Sequence, residues 1–148
     1  MKITLCASVA FYSQVHEIKD KLISMGHEVK TPIEKVKDKN GKEIHTTEFY
    51  KIRKSQQIDQ TWVVDRKEEY MKSYFEKIEW ADAILVINLD KNNVEGYIGG
   101  NTFLEMCVAF YLKKKIFLLN PLPKNELIFE EIIGMKPIIL DNDLNKIK

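Results

Sequence analysis

Apolar positions recur along this chain in two rhythms, and the alternation between them predicts its elements. Lys2 to Cys6 is a β-rich, mostly apolar run of the kind buried on both faces of a sheet. Val15, Ile18, Leu22 and Met25 follow at helical spacing, and Gly26 is suited to stop that helix. His27 to Thr31 alternates as a short strand ended by Pro32, which completes a β-α-β unit with parallel strands. From Ile33 to about Asp59 the chain turns polar and lysine-rich, with Asn40-Gly41 as a two-residue turn between VKDK and KEIH. Helical spacing returns from Gln60 to Glu79, where Val64, Met71, Phe75 and Ile78 can share a face.

Asp82 to Asn88 (DAILVIN) is the strongest strand signal in the chain. A glycine-bearing loop leads from it to a helix over Thr102 to Lys113 and a strand over Lys115 to Leu119. Pro121 and Pro123 break the chain. Asn125 to Ile133 then reads as a short helix, Pro137 to Leu140 as a last strand, and the tail as a turn of helix. Strands alternating with helices predict a doubly wound α/β domain of about five mostly parallel strands with flanking helices, one domain over residues 1–148. The stretch 33–59 is expected to be a polar excursion from it. Ligands in such sheets lie outside the carboxyl ends of the strands, so Ala7-Ser8, Asn88 to Asn101 and Asn120 should converge on one crevice.

Composition narrows the function classes. A formal net charge of +1 offers no basic excess for nucleic-acid binding. The run Lys113-Lys114-Lys115 reads as a helix C-terminus complementing its dipole. No apolar stretch approaches the ~20 residues of a membrane span, and MKITLCASVAF reads as a first strand rather than a signal peptide. Cys6 and Cys107 have no metal-ligand spacing, which fits free buried thiols in the cytoplasm. His16, His27 and His45 likewise show no metal spacing, and neither a metal nor a cofactor is expected.

The candidate chemistry gathers after the DAILVIN strand. Gly99-Gly100-Asn101-Thr102 opens a helix, whose free N–H groups and dipole favour an anionic ligand over bare glycine backbone. Glu105 falls in the first turn of that helix. Thr102-x-x-Glu105 is a capping box, in which the glutamate folds back onto backbone. The same carboxylate could instead attack the anomeric carbon of a sugar. Asp90, just past the strand end, could protonate a leaving base or hold a sugar hydroxyl, whereas Asp82 should cap or terminate the preceding helix. Ser8 could face a phosphate or sugar, or close its own turn. The first loop matches neither a Walker loop nor a dinucleotide fingerprint, and no acidic pair follows the first strand as a phospho-receiver would require.

Taken together, LCASVAF, GHEVKTP, WADAILVIN and GYIGGNTFLEMCVAFYLKKKIFLLNP resemble the nucleoside 2-deoxyribosyltransferase-like family, which includes 2′-deoxynucleoside 5′-monophosphate N-glycosidases. The resemblance covers residues 1–32 and 78–123. It implies a flavodoxin-like, Rossmannoid fold, Glu105 as catalytic glutamate, Ser8 facing sugar or phosphate, and Gly99 to Asn101 beside the deoxyribose. It also implies a homo-oligomer in which a neighbour completes each site. Two positions depart from the family: Thr4 stands where members carry a tyrosine, and Tyr74 where they carry an aspartate. Asp90 and Tyr97 are the candidates to substitute.

The function expected is cleavage or transfer at the N-glycosidic bond of a 2′-deoxynucleoside or its 5′-monophosphate, through a covalent glutamyl-deoxyribose intermediate. The catalytic residues would be Glu105 and Asp90, with Ala7, Ser8, Asn88, Tyr97, Gly99, Gly100, Asn101 and Thr102 lining the substrate site. The alternative is a nucleotide- or nucleoside-binding module that uses the same crevice without catalysis. In either case the partner is a small molecule, not nucleic acid or membrane. The lysine-rich segment Lys35 to Lys54 is expected to be a solvated excursion rather than a lid over a 5′-phosphate.

Overall fold

The computed structural model describes residues 1–55, 58–122 and 127–148. Its centre is a five-stranded, wholly parallel sheet. The strands are β1 (Lys2–Cys6), β2 (Glu28–Lys30), β5 (Ala83–Val86), β6 (Lys115–Leu118) and β7 (Ile138–Ile139), in the spatial order β2-β1-β5-β6-β7. Two further strands, β3 (Lys35–Lys37) and β4 (Glu43–His45), form a separate antiparallel hairpin. The helices are α1 (Tyr12–Ser24), α2 (Thr46–Lys54), α3 (Thr61–Trp80), α4 (Gly100–Tyr111) and α5 (Phe129–Gly134). Without the hairpin, the strand order is that of the flavodoxin-like doubly wound folds. The order reverses between β1 and β5, which are paired in register from Ile3↔Ala83 to Cys6↔Val86.

Alternating side chains of the sheet feed two apolar layers. Ile3, Leu5, Leu85 and Phe117 pack with Val15, Ile18 and Leu22 of α1 on one face. Cys6, Ile84, Val86, Ile116 and Leu118 pack on the other face with α3 and α4, through Tyr70, Tyr74, Ile78, Met106 and Ala109. Every side chain of β5 is buried, as a central strand covered on both faces requires. Gly26, at φ +89°, supplies the left-handed residue that ends α1. Among the described residues, no helix is long and apolar enough to cross a membrane.

Three expectations are corrected here. The buried face of α3 is Val63, Tyr70, Tyr74 and Ile78, while Val64 is 51% exposed. Counting only aliphatic residues and phenylalanine misplaces that face, because tyrosine rings bury well when the phenol finds a partner. Tyr74 finds one in the Leu5 carbonyl, at 2.7 Å. The stretch from residue 33 to 55 is not merely a solvated excursion. Val36 and Ile44 of the hairpin, Phe49 of α2 and Val63 of α3 close a third apolar cluster. The Asn40-Gly41 turn forms as expected, with Asp38 Oδ1 accepting from Asn40 and Lys42 N–H groups. Asp82 follows directly on the end of α3 at Trp80 and its C-cap Ala81 but does not cap it: its Oδ2 accepts from Lys2 N at 2.8 Å and ties the start of β1 to that of β5.

The tail turn is a 3-10 helix over Leu144–Lys146. The expected break at Pro123 and the first residues of the expected helix from Asn125 lie outside the described residues. Of the three consecutive lysines, Lys114 donates to the Glu79 carbonyl near the end of α3, and Lys115 belongs to β6.

Candidate active site

Outside the carboxyl ends of β1 and β5 the structure opens a cleft of about 400 Å³. Its lining includes Ala7 and Ser8 after β1, Tyr97 of the loop after β5, and Gly99, Gly100, Asn101, Thr102 and Glu105 around the start of α4. These eight expected site residues are therefore brought together. Asn88 and Asp90 are not among them.

Asn88 is fully buried and clamps two strand ends. Its Nδ2 donates to the Asn120 carbonyl at 3.0 Å, and its Oδ1 accepts from Asn120 N at 2.9 Å. Asp90 is exposed, and its Oδ1 accepts from Gly96 N at 2.9 Å. Both side chains are spent on holding the loop and sheet edge that carry the site.

That loop turns back on itself through Asn92 and Asn93, both at positive φ, with Lys91 and Val94 exchanging backbone hydrogen bonds at 2.9 Å. Asparagine tolerates this left-handed geometry, which a two-residue hairpin turn requires. The result sets Lys91 beside Tyr97, with the ammonium 4.7 Å from the ring centroid. Lys91 also donates to Tyr50 Oη at 2.9 Å and to Ser8 Oγ at 3.3 Å. Ser8 lines the cleft, and its Oγ accepts from Ala10 N at 3.3 Å, closing its own turn.

Helix α4 begins at Gly100, two residues earlier than the sequence predicts, with Gly99 as N-cap. Glu105 is thus the sixth helical residue and lies in the second turn. No capping box forms. Instead the carboxyl is buried against β1 and α3, and its Oε2 has no hydrogen-bond partner among the described residues. Burial raises the pKa of Glu105 to about 8, opposed by the neighbouring Cys6 thiol and by the ammonium groups of Lys67 and Lys77. The same burial pushes the Cys6 thiol well above its ordinary range, helped by Glu105.

Sequence reasoning missed the opposite wall. Helix α2 contributes Tyr50, Arg53 and Lys54, and α3 contributes Lys67, Tyr70 and Met71. Lys67 Nζ donates to Asn101 Oδ1. Desolvation, followed by repulsion from Arg53, lowers the pKa of Lys67 to about 8, while Glu105 acts in the other direction. Arg53 stacks within 6 Å of the rings of Phe49, Tyr50 and Tyr70. The Tyr50 phenol is shifted down, chiefly by its hydrogen bond from Lys91. The overlooked signal was Thr46 to Lys54, where Phe49 and Arg53 stand one helical turn apart.

Glu105 is the one carboxylate lining this cleft among the described residues, which Arg53, Lys54, Lys67 and Lys91 also line. No group of three or more histidine, cysteine, aspartate or glutamate side chains gathers among the described residues to hold a metal.

The backbone has a solved counterpart. The structure of a Clostridium botulinum CMP N-glycosidase, BcmB, matches 94% of this chain and 85% of its own length, with a TM-score of 0.50 and 11% sequence identity. That likeness is one of fold. No family model and no curated protein matches the chain.

Proposed function

We propose that the cleft takes a nucleoside or nucleotide and that Glu105 breaks its N-glycosidic bond. The observation that carries this reading is a single buried carboxyl, with one oxygen unpartnered among the described residues, lining a cleft at the point where strand order reverses. The fold shared with a CMP N-glycosidase supports it. In the reaction, an ionised Glu105 oxygen bonds to C1′ of a 2′-deoxyribosyl group as the C1′–N bond breaks. The electron pair leaves with the base, which takes up a proton. Water, losing a proton, then attacks C1′ and returns the carboxylate; a second base in its place gives transfer. In this reading Tyr97 and the N–H groups opening α4, which border the same cleft, orient the sugar.

A second copy of the chain is part of this reading. Helix α4 leaves Leu104, Phe110 and Tyr111 exposed by 45%, 54% and 83%, and Leu104 also lines the cleft. An apolar surface beside a site suits an oligomer interface.

One observation favours a nucleotide-binding module without catalysis. Tyr74 and Thr4 stand where the resembling family carries aspartate and tyrosine, and both are buried and engaged with backbone. Tyr74 donates to Leu5 O, and Thr4 Oγ1 donates to Lys77 O at 2.8 Å. Neither lines the cleft.

Base release decides between the two. Wild type and Glu105→Gln are incubated with the four deoxynucleosides and their 5′-monophosphates, with and without a second free base, and products are separated by chromatography. Free or exchanged base from wild type, reduced roughly 10³-fold or more in the variant, supports Glu105 as nucleophile. A nucleotide that raises the melting temperature yet is recovered unchanged supports the binding module.

A further inference from the structure

Cleavage of the C1′–N bond leaves an electron pair on the departing base, and a base leaves slowly unless a proton reaches it in the same step. Asp90, the residue the sequence offers for that proton, does not line the cleft, and its Oδ1 accepts from Gly96 N. The cleft has other N–H and O–H groups. Arg53 carries a guanidinium that keeps its proton, and burial pushes the Tyr70 phenol up. Lys91 already donates to Tyr50 Oη and to Ser8 Oγ.

Lys67 is placed differently. It lines the cleft from α3, and its Nζ donates to Asn101 Oδ1 in the first turn of α4, the helix that carries Glu105. That is its one hydrogen bond among the described residues, so two of the three N–H groups of the ammonium are unspent. No ion pair holds it among the described residues. The Tyr70 ring lies 6.0 Å from the ammonium; Arg53 and Lys54 of α2 repel the charge, and Glu105 of α4 attracts it. Desolvation and that repulsion bring its pKa to about 8, so it is mostly charged at neutral pH yet releases a proton more readily than a solvated lysine.

We infer that Lys67 is the proton donor to the leaving base, a second catalytic residue beside Glu105. The inference rests on the glycosidic reading of the cleft. As Glu105 bonds to C1′ and the C1′–N bond breaks, the Lys67 ammonium passes one proton to the base, which keeps the electron pair of that bond. Lys67 is left as a neutral amine. In the second step the amine takes the proton of the water that attacks C1′, the C1′–O bond to Glu105 breaks with its electron pair on the carboxylate, and both groups are restored.

Methylated substrates test this. 2′-Deoxyguanosine and 2′-deoxycytidine, as nucleosides and as 5′-monophosphates, are compared with their N7-methyl and N3-methyl forms. Those methylated bases already carry a positive charge and leave neutral without a further proton. Base release is followed by chromatography in wild type, Lys67→Met and Lys67→Arg, and thermal melting confirms that each variant folds. In wild type, the falling limb of the pH profile near 8 should appear with ordinary bases and vanish with methylated ones. In Lys67→Met the rate on ordinary bases, relative to methylated ones, should fall by about 10²- to 10⁴-fold, the range for a general acid. Lys67→Arg keeps the charge but not a readily released proton, and should show the same fall.

A loss that is equal for both kinds of substrate, or a rate on ordinary bases restored by Lys67→Arg, leaves the lysine a purely electrostatic part and overturns the inference. So does a falling limb that persists in Lys67→Met. The two variants are also compared on all four ordinary bases, so that arm decides even where a methyl group is not accepted. Failure here is distinguishable from failure of the glycosidic reading. No base released by wild type from any substrate ends the reaction, and the donor with it. Base released by wild type and by Lys67→Met in an unchanged proportion keeps the reaction and ends the inference.

Discussion

Lys67 and Glu105 line one cleft from two helices, and burial drives their proton affinities toward each other until both lie at about 8. Each opposes the shift of the other: the ammonium favours the ionised carboxyl, and the carboxylate favours the charged lysine. Lys67 is in turn held by Asn101, in the first turn of the helix that carries Glu105. The nucleophile proposed here is therefore mostly protonated at neutral pH, and its ionised fraction depends on the cation beside it.

A pH profile reads this directly. If ionised Glu105 attacks, kcat/KM climbs as pH rises toward 8, and a falling limb near the same pH marks the need for charged Lys67. Lys67→Met removes a charge that lowers the Glu105 pKa, so the climbing limb should move to higher pH while its shape persists. A limb that stays in place rejects the coupling.

Stability should follow the same two groups with opposite signs. Between about 4.5 and 8 the folded Glu105 keeps a proton that the unfolded chain releases, so stability falls as pH rises. Between about 8 and 10.5 the unfolded Lys67 keeps a proton that the folded one loses, so stability rises. The pair therefore contributes a minimum near pH 8. Glu105→Gln should abolish the acid-side fall and stabilise the protein at pH 8 or above by on the order of 3–5 kcal/mol. Urea unfolding of both proteins across this range measures it.

Gly99 carries a narrower prediction. Its φ is an ordinary −78°, so backbone strain does not demand glycine there. An added Cβ would instead stand 3.2 Å from Tyr97 Oη. Gly99→Ala should displace the Tyr97 ring and leave stability within about 1 kcal/mol. A several-fold rise in KM with kcat little changed would place Tyr97 in substrate binding; unchanged kinetics would remove it from the site.

Phe49 tests whether the third apolar cluster holds the cationic wall in place. It is fully buried and lies beneath Arg53, 5.3 Å from its guanidinium carbon. Phe49→Ala should cost about 3–5 kcal/mol and weaken nucleotide binding along with it. Phe49→Leu, which retains most of the apolar volume, should recover most of the stability but not the stacking. Titration of both variants with a 5′-monophosphate separates packing from recognition.

The layered sheet was legible because its causes are local. A continuous apolar run such as Ala83 to Val86 must be covered on both faces, and α1 repeats its buried residues at Val15, Ile18 and Leu22. The glycines and asparagine that open α4, and Glu105 after them, were legible as a turn at the strand carboxyl ends for the same reason, and they line the cleft there. Their chemistry was not. A two-residue shift in the helix start separates a capping glutamate from a buried carboxyl without a cap to serve, and helix ends depend on competing turn bonds such as Phe103 N to Gly99 O.

The sequence by itself determined a parallel α/β sheet, its order of elements and the strand ends where a ligand would sit. Only the tertiary structure decided what faces Glu105. Asp90 and Asn88, adjacent to the strand end in sequence, are turned to Gly96 and Asn120. Arg53 and Lys67, more than thirty residues away, line the cleft with Glu105. Contacts of that separation arise when a tyrosine-rich face of α3 and the small core around Phe49 bury together. Charge at the site follows from that packing, which the periodicity of no single segment encodes.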